Sequence, residues 1–222
     1  MTLAREGRQR AWWESYDLRQ SYARYIGFES AAVSILDYKS SIFTGFMQTE
    51  AYAHALISSC LKPVDSLMVQ RLTQARLQRQ AVLFERDPLP RIHLVFDEAV
   101  LHRVVGGPEV MAEQLRRMVD VADQPEITIQ VIPFAVGGHA GVESTFTILE
   151  FDDDVGLPRV LHVEDVFGSL QFERDADVDR SIEVFERCKA VALSPADSVE
   201  LMAAMRDRYA AASDETTEAG SG

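Results

Sequence analysis

Hydrophobic and polar positions along this chain follow a helical period first, then a strand period, then a helical one again. From Thr2 to Tyr25, Arg, Glu, Gln, Ala and aromatic residues run without a proline, which predicts helix. Phe28 to Ile57 predicts mostly helix, broken around Ser40 to Gly45. A fresh helix starts at Thr49 and carries Ala51, Tyr52, Ala55 and Leu56 at helical spacing. Pro63 marks a loop. Asp65 is placed to cap a long helix to about Arg86, on which Met68, Leu72, Ala75, Val82 and Leu83 form an apolar stripe. Asp87-Pro88 and Pro90 end it, because the residue before a proline is pushed out of the helical region.

Arg91 to Phe96 then alternates, with Ile92, Leu94 and Phe96 apolar, and predicts a strand. Asp97 caps a short helix through Val105. Gly106-Gly107-Pro108 forms a turn that opens a helix to about Ala122, with Val110, Met111, Leu115, Met118 and Val119 inward. Further strands are expected at Ile127–Ile132, Phe146–Phe151, Arg159–Glu164 and Ser169–Phe172. Two helices close the pattern, Val178–Leu193 and Pro195 to about Tyr209, the second opened by Ser194-Pro195. The expected fold class is α+β: N-terminal helices, a mixed sheet of four to five strands, and two C-terminal helices packed on it. Residues 1–210 read as a single domain. Residues 211–222 lack large apolar side chains and read as a disordered acidic tail.

Composition narrows the function classes. With 222 residues, 47% hydrophobic and 26% charged, the chain is in the range of soluble globular proteins. It is long enough to bury roughly 70% of the surface its unfolded form exposes, so it needs no metal or disulfide for a core. No apolar run reaches the length of about 18 residues that a membrane span needs, and the start is no signal peptide, so a cytoplasmic location with no membrane partner is expected. Net charge is −13; residues 1–10 carry +2, leaving −15 for the remainder. Phosphate backbones are bound by Lys and Arg, so direct nucleic-acid binding by this chain is not expected.

Catalytic chemistry finds little support. The five histidines, His54, His93, His102, His139 and His162, form no ligand spacing, and Cys60 and Cys188 sit in apolar helical contexts without a CxxC pair. No metal, cofactor or catalytic residue is assigned. Gly106-Gly107 and Gly137-Gly138 match no phosphate-cradling motif, and Asp152-Asp153-Asp154 lacks the alternating ligands of a calcium loop. The least ordinary stretch is the glycine-rich connection Pro133–Glu143, which carries His139 and Glu143 between two strands. Gln48 and Thr49 place an amide and a hydroxyl at a helix start, where free backbone N–H groups receive an anion or carbonyl oxygen. These expectations combine into one ligand cavity bordered by Gln48, Thr49, Tyr52, His139 and Glu143. On the arginine-rich helix, Arg79 shares the apolar phase of Leu72, Ala75 and Leu83, so it should be buried against a carboxylate, with Glu98 the first candidate.

Several stretches taken in order resemble one family. They are Leu3–Trp13, Thr44-Gly-Phe-Met-Gln-Thr-Glu-Ala-Tyr-Ala-His-Ala-Leu56, Arg79-Gln80, Phe96–Gly107, Val110-Met111 with Gln114-Leu115, Val131-Ile-Pro133, Gly138-His-Ala-Gly141 and Ala192-Leu-Ser-Pro195. The set is similar to the C-terminal domain of unknown function found behind an Xre-like helix-turn-helix in actinobacterial, antitoxin-like regulators. Thr44 stands where the family's Pro-Gly-Leu-Leu-Gln-Thr run has its proline, and no helix-turn-helix precedes Leu3 in this sequence. The resemblance implies a sensing domain of a transcription regulator, here without its DNA-binding half. Its partners would be a small acidic-to-neutral ligand or a short partner protein, and a homodimer is compatible with it. The alternative is a stand-alone, cofactor-free enzyme (cyclase-like) or small-molecule-binding protein of secondary metabolism.

Overall fold

Ser34–Lys39, expected within a mostly helical stretch, is instead a strand, and the sheet is ordered around it. The computed structural model describes Trp13, Tyr16, Leu18 and residues 20–60, 65–165 and 168–219. Most of the helix expected over 2–25 and the loop at Pro63 lie outside these residues. Along the chain run α1 (Gln20–Ala31), β1 (Ser34–Lys39), a 3-10 turn (Gly45–Met47), α2 (Glu50–Cys60), α3 (Ser66–Phe84) and β2 (Arg91–Asp97). Then follow α4 (Ala99–His102), α5 (Pro108–Val121), β3 (Ile127–Ile132), β4 (Phe146–Glu150), β5 (Val160–Asp165), β6 (Gly168–Phe172), α6 (Asp175–Val191) and α7 (Pro195–Ala219).

The fold is α+β with one mixed six-stranded sheet in the order β3-β2-β1-β4-β5-β6. β1, β2 and β3 are mutually parallel, and β4, β5 and β6 are antiparallel to their neighbours. The sequence reading was one strand short because β1 lies inside the sheet. A strand covered on both faces has no polar face, so Ser34-Ile-Leu-Asp-Tyr-Lys39 shows no alternation.

Several caps appear where expected. The Asp65 carboxylate accepts from the N–H groups of Leu67 and Met68 at 3.0 and 3.2 Å. Asp97 accepts from Ala99 N–H at 2.8 Å, although the helix it opens ends at His102 rather than Val105. Ser194 accepts from Asp197 N–H at 3.1 Å ahead of Pro195. Gly106 turns with φ +74, and a Cβ there would meet the Ala55 Cβ at 2.9 Å, so only glycine suits the position. The tail expected to be disordered continues α7 as far as Ala219. Extending a helix already anchored by packing needs no new nucleus, and Ala210-Ala-Ala212 are strong helix formers.

The two faces of the sheet are covered differently. One face carries Ile35, Leu94, Phe96, Val131 and Leu149 against Tyr25 of α1, Tyr52 of α2, Leu83 of α3, Leu115 of α5 and Met202 of α7. The other carries Tyr38, Val95, Ile132, Ile148 and Leu161 against Val178, Phe185 and Cys188 of α6. The two C-terminal helices therefore pack on opposite faces.

Candidate functional site

At β1 the strand order reverses: β2 and β3 lie to one side, β4 to β6 to the other. Loops leaving a sheet at such a point part from each other and leave a crevice beyond the strands' carboxyl ends. A cavity of about 370 Å3 lies there. Its floor is the end of β1 and the start of β4, at Lys39 and Thr145, and β5 supplies His162 and Glu164. The loop Ser41–Gly45 forms one wall, α3 contributes Arg76 and Arg79, and Tyr22 and Tyr25 of α1 close the third side.

The wall segment 43–49 is held by three glutamines. Gln48 donates to the Phe43 carbonyl at 2.7 Å. Gln80 donates to the Gly45 and Gln48 carbonyls at 3.0 and 2.8 Å. Gln114 donates to the Met47 carbonyl at 2.9 Å and accepts from Thr49 N–H at 2.7 Å. All three are buried, so each backbone group they satisfy would otherwise be an unpaired polar group in the core.

Arg79 is buried, as its helical phase demands, but its partner is Glu29 and not Glu98. Its Nε reaches Glu29 Oε1 at 2.6 Å and its second nitrogen contacts Oε2, a bidentate fork. The remaining donors reach the hydroxyls of Tyr22 at 2.9 Å and Tyr25 at 3.3 Å. Burial opposes the charge, yet Glu29 and the two phenols outweigh it and hold the guanidinium protonated beyond its ordinary range. Glu98 instead accepts from Phe134 N–H at 2.6 Å and meets His102 at 3.0 Å.

His162 is buried flat against the Tyr25 ring, centroids 3.7 Å apart. Gln171 Nε2 donates to the Ser21 carbonyl at 3.2 Å and reaches His162 Nδ1 at 3.3 Å. Nδ1 is therefore the acceptor of the neutral ring, and Nε2 carries the proton. Among the described residues that Nε2 has no hydrogen-bond partner; Glu164 Oε1 lies 3.7 Å away. Burial pushes the His162 pKa down, so the ring is neutral at pH 7. Contact with His162, assisted by Lys39, holds the Glu164 carboxyl down to about 2 against the cost of burial. At the floor Lys39 pairs with Asp37 at 3.1 Å, and Thr147 donates to the same carboxylate oxygen.

The family model for the domain of unknown function DUF5753 matches residues 22–204. The chain belongs to this family. No curated protein and no solved structure matches it. The part that matches the DUF5753 family begins at Tyr22 in the cavity wall and contains every residue lining the cavity.

The single cavity expected from sequence does not form in this DUF5753 domain. Of the five residues assigned to it, only Gln48 lines the cavity at β1, and its amide is engaged by Phe43 and by Arg76 at 2.6 Å. Thr49 caps α2 by accepting from Tyr52 N–H at 3.3 Å, and Gln114 takes its own N–H, so both of its polar groups serve the fold. The Tyr52 ring lies in the core against Phe43, and burial pushes its hydroxyl up to about 12. His139 lies on the opposite face of the sheet, where it meets Asp97 at 3.1 Å and the edge of the Tyr38 ring. Glu143 is exposed in the same connection.

The grouping around His139 has chemistry-bearing members, Asp97, Tyr38 and Cys188. A Cβ at Gly141 would stand 2.6 Å from Tyr38 Cζ and 2.9 Å from Cys188 Sγ, which shows how tightly that face is packed. Burial pushes the Cys188 thiol up to about 11, so no thiolate is available as a nucleophile at neutral pH. Among the described residues no group of three or more His, Cys, Asp or Glu side chains is arranged to hold a metal ion. Among them also, no helix is long and apolar enough to cross a membrane. Sequence reasoning missed Arg76, His162, Glu164 and the α1 tyrosines as cavity residues. The one available signal was the i, i+3, i+4 repeat of Arg76, Arg79 and Gln80 on α3.

Proposed function

We propose that this DUF5753 domain is the ligand-sensing part of a transcription regulator, and that the cavity at the carboxyl end of β1 receives a small-molecule effector. The observation that supports this reading is the cavity itself, at about 370 Å3 within the range of small-molecule sites (about 300–1,000 Å3). It is walled by tyrosine and phenylalanine rings and by polar groups that buried hydrogen bonds hold in place, the preorganisation that lowers the cost of binding. The reading keeps the resemblance to regulators with an Xre-like helix-turn-helix, which would do the DNA reading. The −13 charge of this chain disfavours a phosphate backbone. The protonated Cys188 gives no support to the enzyme alternative.

A cavity-filling variant tests the assignment. Ser41 lines the cavity, and its backbone carbonyl accepts from Arg103 at 3.1 Å, so Ser41→Phe fills the space and keeps that bond. A library of small metabolites should contain at least one compound that raises the melting temperature of the parent. At 100 times Kd the rise should be about 5–10 °C, from about 2.7 kcal/mol of linkage. The same compound should leave Ser41→Phe unchanged. A library without stabilising compounds, or an equal response in both proteins, overturns the reading.

A further inference from the structure

Four charged side chains line the cavity, and two of them are already paired with carboxylates outside its lining. Arg79 and Glu29 form one closed pair, and Lys39 and Asp37 form the other. Two remain, of opposite sign. Arg76 is half-buried, donates to the neutral Gln48 amide at 2.6 Å, and has a buried Nε with no partner; among the described residues no carboxylate pairs with it. Glu164 makes no ion pair with Lys or Arg among the described residues; its side chain is 53% exposed, the neutral His162 ring lies 3.7 Å away, and Lys39 acts on it only at longer range.

The placement of these groups is polar. Arg76 comes from α3 beside Gly45 and Gln48, whereas Glu164 comes from β5 beside His162. Rings of Tyr22, Tyr25 and Phe43 line the cavity they share. An anion alone would satisfy Arg76 and leave Glu164 facing a like charge; a cation alone would do the reverse. Arg76 is half-buried with a buried Nε that lacks a partner, and Glu164 is an open carboxylate at the cavity's other side, so the complementary ligand carries both signs. The volume fixes its size: about 370 Å3 holds about a dozen waters at about 30 Å3 each, hence a molecule of about a dozen heavy atoms.

We propose that the cavity takes a zwitterion of the amino-acid class, its carboxylate on Arg76, its ammonium on Glu164, and an apolar or aromatic body against the tyrosines. Arg76 meets the carboxylate through the fork that suits such groups. The ammonium lies within reach of ring faces as well as of Glu164. This inference rests on the ligand-sensing reading and specifies its ligand class.

The test uses the full chain and the twenty common L-amino acids as probes, read by ligand-observed NMR and thermal shift. Each binder is compared with its matched acid lacking the amine and its matched amine lacking the carboxylate; for L-phenylalanine these are 3-phenylpropanoate and 2-phenylethylamine. At least one apolar or aromatic amino acid should bind, and both matched compounds should bind at least tenfold more weakly. Arg76→Gln should weaken the amino acid at least tenfold and leave the matched amine unchanged. Glu164→Gln should weaken the amino acid to a similar degree and leave the matched acid unchanged. The inference is overturned if no amino acid binds, if a matched acid or amine binds equally well, or if either variant binds the amino acid as the parent does. Stabilisation by other metabolites, lost in Ser41→Phe, would then leave the sensing reading standing without the zwitterion. Silence across the metabolite library as well removes both.

Discussion

The Arg79 guanidinium grips the Glu29 carboxylate through two nitrogens, joining α3 to α1 across fifty positions of sequence. Both side chains are buried, at 6% and 2% exposure, so neither can turn to water if the other is removed. Arg79→Leu should therefore cost about 3–5 kcal/mol, the range for breaking a buried pair from one side. Urea denaturation measures it. The double variant Arg79→Leu/Glu29→Leu should recover much of the loss, because it leaves no orphan charge. A double variant as unstable as the single one would mean that the pair's geometry, rather than charge compensation, dominates.

Acid lability follows from two histidines. Burial lowers the pKa of His162 and of His93, the latter partly offset by its contact with Gln130. Below about pH 6.5 the unfolded chain takes up these protons while the folded chain does not. Stability should fall as pH drops from about 6.5 toward the lowered folded values, with a slope of up to two protons. Glu164, held down to about 2, adds a further loss below about pH 4.5 as the unfolded chain protonates first. Denaturation midpoints between pH 5 and 8 for the parent and for His93→Gln/His162→Gln test this. The double variant should show a flatter profile, and a profile of unchanged slope rules the two histidines out.

Gln114 closes a two-way amide contact with the backbone of Met47 and Thr49. Gln114→Leu retains the volume and strands one N–H and one C=O in the core, at a cost of about 1–3 kcal/mol for each group. Hydrogen exchange separates this local effect from global loss. The Thr49 amide should lose protection by more than the core amides of β1 do. Uniform loss along the chain would show that the contact is not what holds the 43–49 segment.

Gly141 has no room for a side chain, since a Cβ would stand 2.6 Å from Tyr38 Cζ and 2.7 Å from Cε1. The Tyr38 ring is itself buried beneath α6 and the 134–145 connection and cannot swing aside. Gly141→Ala should cost about 1–3 kcal/mol through overpacking. In a chain of this size that is a fall of about 2–12 °C in melting temperature, at about 2–4 °C per kcal/mol. Gly138→Ala, with open space around its Cβ, serves as the control and should stay within about 0.5 kcal/mol of the parent.

Much of the fold was legible because the signals are local. The Asp65 and Ser194 caps, the turn at Gly106-Gly107-Pro108 and the alternation of Ile92, Leu94 and Phe96 each depend on residues a few positions apart. The helical phase of Arg79 likewise showed that it must be buried. Its partner was not legible: Glu29 and Glu98 are equally acceptable carboxylates by chemistry, and only the docking of α1 against α3 decides between them. His139 and Gln48 looked like members of one site because one sits in a glycine-rich connection, the other at a helix start, and both stretches belong to the set that carries the family resemblance. Their separation by the sheet depends on β1, whose two-sided burial removes the alternation that would have revealed it.

By itself the sequence determined which segments are helices and strands over most of the chain, that the chain is α+β, and that an arginine on α3 faces inward. Tertiary structure alone decided the strand order, the crevice where that order reverses, and the company of Tyr22, Arg76, His162 and Glu164 around it. The physical reason is range. Caps, turns and amphipathic periods are settled by neighbours within about four residues. The cavity is formed by side chains from five separated segments, and no local pattern records which of them will meet.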